Sequence, residues 1–307
     1  MALPTFLFQA LLLLLTAFIA PIQAAAKASS GCGKAPQRVT AASGTTTPLT
    51  TTVNSKKREY FVKLPASYNN THPYRLVFTL HALQGTASQV INGQGGYIPW
   101  YGLPPLSAKT TAASSGTPDD SIFVAPNGLN NGWANTAGED VTFIRTVMSE
   151  VEADLCVDQT RRFSTGFSYG AAMSYALACG LGKDIRAVAA LSGNPQISGC
   201  ASPASEPVAY YGQHGVADTV LPIDGGREMR DRFVRNNGCD MDKTKVVKEP
   251  VKGSGQGRTK TVYEGCKEGK PVVWVAFDGP HTPTPTEGGE KDSWVPEETW
   301  EFFRQFQ

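Results

Sequence analysis

The stretch Arg161-Arg162-Phe163-Ser164-Thr165-Gly166-Phe167-Ser168-Tyr169-Gly170-Ala171-Ala172-Met173 constrains this chain more than any other. An extended run ends at Gly166, one serine stands between two glycines, and small residues follow. This is the G-x-S-x-G nucleophile elbow, a sharp strand-to-helix turn that presents one hydroxyl on a strained backbone. Strand and helix pack so closely there that side chains two residues before and after the serine would collide, hence the glycines. The pattern needs support from its context. With 31 glycines in 307 residues, chance would place it in roughly one such chain in five.

The order of elements supplies part of that context. Apolar or β-branched runs at 58–62, 75–80, 121–126, 187–191, 207–211, 259–263 and 272–277 read as strands. The run 75–80 is nearly continuous and of the buried type. Residues 140–156 form the clearest helix, with Val141, Ile144, Met148, Val151 and Leu155 at three- and four-residue steps and Asp140 placed to cap the start. Further helices are expected at 168–179, 223–237 and 297–306. Residues 28–53, rich in Ser, Thr and Ala, read as an irregular leader held by Cys32. The long Gly/Ser/Pro-rich insertion before 121 is of the kind that is functional or disordered. Strands alternating with helices predict an α/β fold: a mostly parallel sheet with helices on both faces. No internal repeat and no Pro/Thr linker divide the chain, so 25–307 is expected to be one domain.

A serine hydroxyl is a poor nucleophile until a base takes its proton. The chain has four histidines, His72, His81, His214 and His281. In the α/β-hydrolase order the nucleophile comes first, the acid second and the base last. That order leaves His214 and His281. His281 follows the strand 272–277 and is the expected base. Asp218, just beyond the strand at 207–211, is the expected acid that holds the imidazole in one tautomer. Asp224 and Asp231 belong to a helix, Asp278 is a turn residue, and His214 is expected to shape the acid's loop. An oxyanion hole needs backbone N–H groups aimed at the developing charge. The amide of Tyr169 is one. The second is expected from the loop His81-Ala82-Leu83, with Leu83 ahead of Ala82.

The compartment is read from the first residues and the cysteines. Residues 6–20 are almost wholly apolar, and 21–26 offer small residues that suit a signal peptidase, with cleavage near Ala24 to Ala26. The segment, a signal peptide over 1–24, is short for a membrane span of about 20 residues. It also lacks the usual basic residues at its start. Six cysteines follow, which in a secreted chain suggests three disulfides. Cys239–Cys266 is the best local pair because both flank a probable hairpin. Cys179–Cys200 and Cys32–Cys156 follow by elimination. The spacing fits no zinc pattern, and no metal or cofactor is expected. Asn69-Asn70-Thr71 is an N-glycosylation sequon. A net charge of +1 gives no reason to expect nucleic acid or a membrane as partner.

Aromatic residues cluster where a substrate wall is needed. Tyr97, Trp100 and Tyr101 lie in the insertion and Trp133 follows the next strand. Stacking on such rings would favour an aromatic acid. Gly253-Ser254-Gly255-Gln256-Gly257 lacks the strand–loop–helix context of a phosphate loop and reads as a turn.

These segments carry a resemblance. The chain resembles fungal feruloyl esterases of carbohydrate esterase family 1, in the branch similar to polyhydroxybutyrate depolymerases. The matching residues are Gly31-Cys32-Gly33-Lys34, Leu80-His81-Ala82, 124–128, 140–144, Arg162 to Gly170, His214-Gly215-Val216-Ala217-Asp218 and Gly279-Pro280-His281. The resemblance implies an α/β-hydrolase fold, a Ser168-Asp218-His281 triad and hydrolysis of feruloyl esters on plant xylan or pectin. Many relatives have His-Gly where this chain has His81-Ala82, and the cellulose-binding module of some is absent here. Acetylxylan esterase and polyhydroxybutyrate depolymerase use the same catalytic parts. A non-catalytic carbohydrate-binding protein on a hydrolase fold is the alternative from another class.

Overall fold

The runs with no water-facing side become strands covered on both sides. A computed structural model describes residues 26–42, 44–111, 120–200 and 206–306; the apolar leader 6–20, expected to be a signal peptide, lies outside them. In chain order the elements are β1 (Leu49–Val53), β2 (Lys56–Lys63), β3 (Tyr74–Leu80), α1 (Ala87–Asn92), α2 (Leu103–Ser107) and β4 (Ser121–Asn127). Then come α3 (Glu139–Asp154), β5 (Val157–Phe167), α4 (Tyr169–Gly180), β6 (Ala187–Leu191) and β7 (Ala209–Gly215). The chain closes with α5 (Ile223–Asn236), β8 (Arg258–Tyr263), β9 (Val272–Phe277) and α6 (Val295–Arg304).

The strands form one nine-stranded sheet in the order β1-β2-β4-β3-β5-β6-β7-β9-β8. From β4 through β9 the neighbours are parallel, while β1, β2 and β8 run antiparallel at the edges. Alternate residues of each central strand feed two separate cores. Leu76, Phe78 and Leu80 join the core that holds α3, α4 and α5; Val77 joins the layer holding α1, α2 and α6. This is the α/β-hydrolase fold, and its parallel strands all end on the side that carries Ser168.

Several local expectations change. Residues 49–53 of the leader form an edge strand, because the β-branched threonines pair with β2. Asp154 anchors the rest of the leader by accepting the amides of Gln37, Arg38 and Val39 at 2.5, 3.0 and 3.0 Å. Asp140 does not cap α3. Asn135 accepts the amides of Asp140 and Val141, both at 3.1 Å, and the Asp140 carboxylate pairs with buried Arg58 at 2.5 Å. The strand expected to stop at 211 continues to Gly215 and carries His214 into the sheet.

Three disulfides are present: Cys32–Cys156, Cys179–Cys200 and Cys239–Cys266. The third ties the end of α5 to the turn of the β8–β9 hairpin rather than flanking that hairpin. Asn69 is exposed, and its Oδ1 accepts the amide and the hydroxyl of Thr71, both at 2.9 Å. Among the described residues no helix is long and apolar enough to cross a membrane.

Candidate active site

Ser168 sits between the end of β5 and the first residue of α4 with φ 56° and ψ −114°. A non-glycine residue at positive φ stores roughly 1–3 kcal/mol of strain. The neighbours enforce it. The Ser168 amide donates to Leu191 O at 2.9 Å, and Ser168 O accepts the amide of Ala172 at 3.0 Å to start the helix. The flanking glycines have measurable reasons. A Cβ on Gly166 would lie 2.6 Å from Gly170 O, and one on Gly170 would lie 2.3 Å from Leu80 O. Gly170→Ala must therefore push α4 off β3. The expected cost is about 3 kcal/mol or more, read by denaturant unfolding; a loss under about 1 kcal/mol would contradict the packing argument.

The acid and base expected from chain order meet. His281 Nδ1 lies 2.6 Å from Asp218 Oδ2. The His281 ring packs, tilted by 39°, against Phe167, next to Ser168, with centroids 4.5 Å apart. A carboxylate accepts only, so Nδ1 carries the hydrogen and Nε2 keeps a lone pair that can take a proton. The Asp218 side chain is fully buried. Its Oδ1 accepts the amides of Val220 (2.9 Å) and Leu221 (2.8 Å), and its Oδ2 also lies 3.2 Å from His214 Nε2. Burial alone would push this carboxyl up. The hydrogen bonds from His214, His281 and the Leu221 amide outweigh it and hold the group well below the usual carboxylate range.

The base loop has its own anchor. Asp278 accepts the amides of Gly253 (2.7 Å) and Gly255 (2.8 Å), so the glycine-rich turn cradles a carboxylate of the chain itself.

The loop after β3, expected to supply the second oxyanion amide, is held by a polar frame. His81 is fully buried, and burial pushes its imidazole down to about 4, so it is neutral. The Gly128 amide donates to Nε2 at 2.9 Å, which leaves Nδ1–H to donate to Ala82 O at 2.8 Å. With that carbonyl drawn toward the ring, the N–H of Leu83, in the same peptide unit, points the opposite way. Among the described residues the Leu83 amide has no protein acceptor, whereas the Ala82 amide is taken by Tyr97 Oη at 2.8 Å. Of the two loop amides considered from sequence, Leu83 is the free one.

The four aromatic residues expected to wall the substrate do other work. Trp133 is fully buried, and its indole N–H donates to His81 O at 2.7 Å while its ring packs on His81. Tyr97 holds Ala82 as above. Tyr101 Oη donates to Leu80 O (2.7 Å) and accepts from the Phe167 amide (3.0 Å), bridging the ends of β3 and β5 beside the elbow. Trp100 packs on Phe123 in the core. Each ring is at least nine-tenths buried, so none offers a stacking face. Among the described residues, two exposed apolar side chains belong to the loops that carry the site: Leu83 (60% exposed) after β3 and Val220 (65% exposed) two residues beyond Asp218. Sequence reasoning passed over both as binding side chains. Their positions, in the oxyanion loop and two residues beyond the acid, were the available signal. Tyr169 joins them: a Cβ on Gly132 would touch its ring at 3.1 Å and Leu83 Cδ1 at 3.4 Å.

Comparison with known proteins agrees with this construction. The chain is 48% identical over 300 residues to feruloyl esterase D of Neurospora crassa, covering 96% of each. It is 46% identical over 276 residues to feruloyl esterase C of Emericella nidulans, covering 90% of each. Among solved structures, a carbohydrate esterase family 1 ferulic acid esterase from Anaeromyces mucronatus, in complex with ferulic acid, aligns with a TM-score of 0.52. It is 16% identical and covers 86% of this chain and 91% of its own, a likeness of fold. No protein-family model matches the chain. At this identity over nearly the whole length, the chain is an ester hydrolase and belongs to the feruloyl esterases.

Proposed function

We propose that this protein is a secreted serine esterase that releases ferulate and related hydroxycinnamates from feruloylated plant cell-wall polysaccharide through an acyl-enzyme on Ser168. The observation that carries the reading is the 2.6 Å bond between Asp218 and His281 on a ring that packs against the residue preceding Ser168.

Ser168 Oγ attacks the ester carbonyl as its proton passes to His281 Nε2. The carbonyl oxygen gains the negative charge and accepts hydrogen bonds from the amides of Tyr169 and Leu83. Each such donor is worth about 10²- to 10³-fold in rate. The C–O bond to the sugar breaks, and its oxygen takes the proton from His281. Water then attacks the acyl-serine, His281 receives its proton and returns one to Ser168 Oγ, and free ferulate departs. Asp218, ionised throughout, stabilises the imidazolium of both halves. Exposed Leu83 and Val220 with Tyr169 would supply the apolar surface for an aromatic acyl group.

Three disulfides support an oxidising compartment, and the apolar leader supports export. Asn69 is the proposed site of N-glycosylation.

A substrate panel tests the reading. Purified protein is expected to hydrolyse methyl ferulate, caffeate, coumarate and sinapate and to free ferulate from feruloylated arabinoxylan. Turnover of acetylated xylan with none of methyl ferulate would make it an acetyl esterase. Failure on both would favour a non-catalytic binding role.

A further inference from the structure

His214 is a buried titratable side chain beside Asp218 that the mechanism above leaves unused. Its imidazole is fully buried. Nε2 lies 2.7 Å from Leu221 O and 3.2 Å from Asp218 Oδ2. A carbonyl oxygen only accepts, so Nε2 carries the hydrogen and the neutral ring has its lone pair at Nδ1. Nδ1 is buried without a hydrogen-bond partner among the described residues. It faces α5 at Gly226, where a Cβ would lie 2.5 Å from Nδ1 and 2.8 Å from the Trp274 ring. Glycine within a helix costs about 1 kcal/mol relative to alanine. Here the absent side chain is the space the imidazole occupies.

The surroundings offer Nδ1 no acceptor. A proton on Nδ1 would create a buried N–H with nothing to receive it. From the turn, Asp218 faces the ring, with His281 on the same carboxylate oxygen. From β9, Trp274 packs against it and sends its own N–H to Glu249, which pairs with Arg227 and Arg230. From α5 the facing residue is Gly226.

We propose that His214 is a positioning residue for the catalytic acid: its Nε2–H bridges Leu221 O and Asp218 Oδ2, closes the 218–221 turn and holds that oxygen toward His281. This rests on the Ser168-Asp218-His281 reading. Oδ2 is shared between two imidazole N–H groups. Removing one leaves more of the carboxylate charge to His281, favours the imidazolium and lets the carboxylate turn out of line.

The test compares His214→Leu, His214→Gln and Gly226→Ala on methyl ferulate, with kcat referred to sites titrated by an aryl phosphonate. His214→Leu is expected to lower kcat about 10- to 100-fold with KM within about threefold. Its acid limb of kcat/KM is expected to move to higher pH. Gln places an amide N–H near the position of the imidazole Nε2 and is expected to restore most of both. Gly226→Ala displaces the ring without removing a titratable group and is expected to shift the limb the same way. If His214→Leu yields no folded protein, the other two variants carry the comparison. A kcat per titrated site within twofold of wild type and an unmoved limb in His214→Leu, or in Gly226→Ala where His214→Leu does not fold, overturn the proposal. So does a Gln variant no better than Leu, which would mean packing alone. A Ser168→Ala enzyme that still turns over would instead sink the triad reading. An inert Ser168→Ala beside a wild-type-like His214→Leu sinks only the positioning role.

Discussion

Replacing Ser168 by alanine is expected to cut kcat on methyl ferulate by about 10⁴- to 10⁶-fold, with substrate affinity changed only a few-fold. The oxygen that would form the acyl bond is lost, while the oxyanion amides and the apolar surface around Leu83 and Val220 stay. Stability should move the other way in a companion variant. Ser168 stands at φ 56°, a conformation that glycine adopts without strain. Ser168→Gly is therefore expected to be as inactive as Ser168→Ala and yet more resistant to denaturant, by about 1 kcal/mol. Part of that gain is offset by the entropy of a freer unfolded chain. The pair is checked by steady-state turnover of methyl ferulate and by equilibrium unfolding. Residual turnover within about 100-fold of wild type in the alanine variant would remove Ser168 from the chemistry.

The second large effect is expected at the acid. Asp218→Asn keeps the shape and alters the hydrogen-bond signs. The amide oxygen would stay with the Val220 and Leu221 amides, which now donate to Oδ1. The new NH₂ would then face two imidazoles that both donate to this position, His281 Nδ1 and His214 Nε2. Donor against donor is relieved if His281 moves its hydrogen to Nε2. That tautomer cannot take the proton of Ser168. The expected loss in kcat is about 10⁴-fold with KM near wild type. A loss under about tenfold would show that the imidazole is oriented by something other than Asp218.

The elbow and the order of its partners were readable because each left a mark in residue type. Gly166 and Gly170 are demanded by backbone contacts that admit no Cβ, and His281 stood out from only four histidines. The parallel sheet was readable too, since strands such as Val272–Phe277 are apolar on both faces. The aromatic residues were misread for a definite reason. Composition says that Tyr97, Tyr101 and Trp133 have a ring and a polar tip; it does not say whether the tip meets substrate or backbone. Here the tips reach Ala82, Leu80, Phe167 and His81, and the rings are buried beneath the site they were expected to line. Asp140 shows the same limit. Its place before a helix suits a cap, but Arg58, 82 residues away in sequence, takes its carboxylate and leaves the capping to Asn135.

Chain order and residue type alone determined the fold class and the strained turn at Ser168, because a strand-to-helix turn and its steric demands are local, and chain order pointed to the Asp218–His281 pair that the structure brings together. Which amide of the oxyanion loop is free, which aromatic groups brace rather than bind, and that a second histidine touches the acid were decided by the tertiary structure. Those outcomes turn on hydrogen bonds between segments far apart in the chain. A donor's partner there is whichever acceptor the packed sheet brings within 3 Å or so.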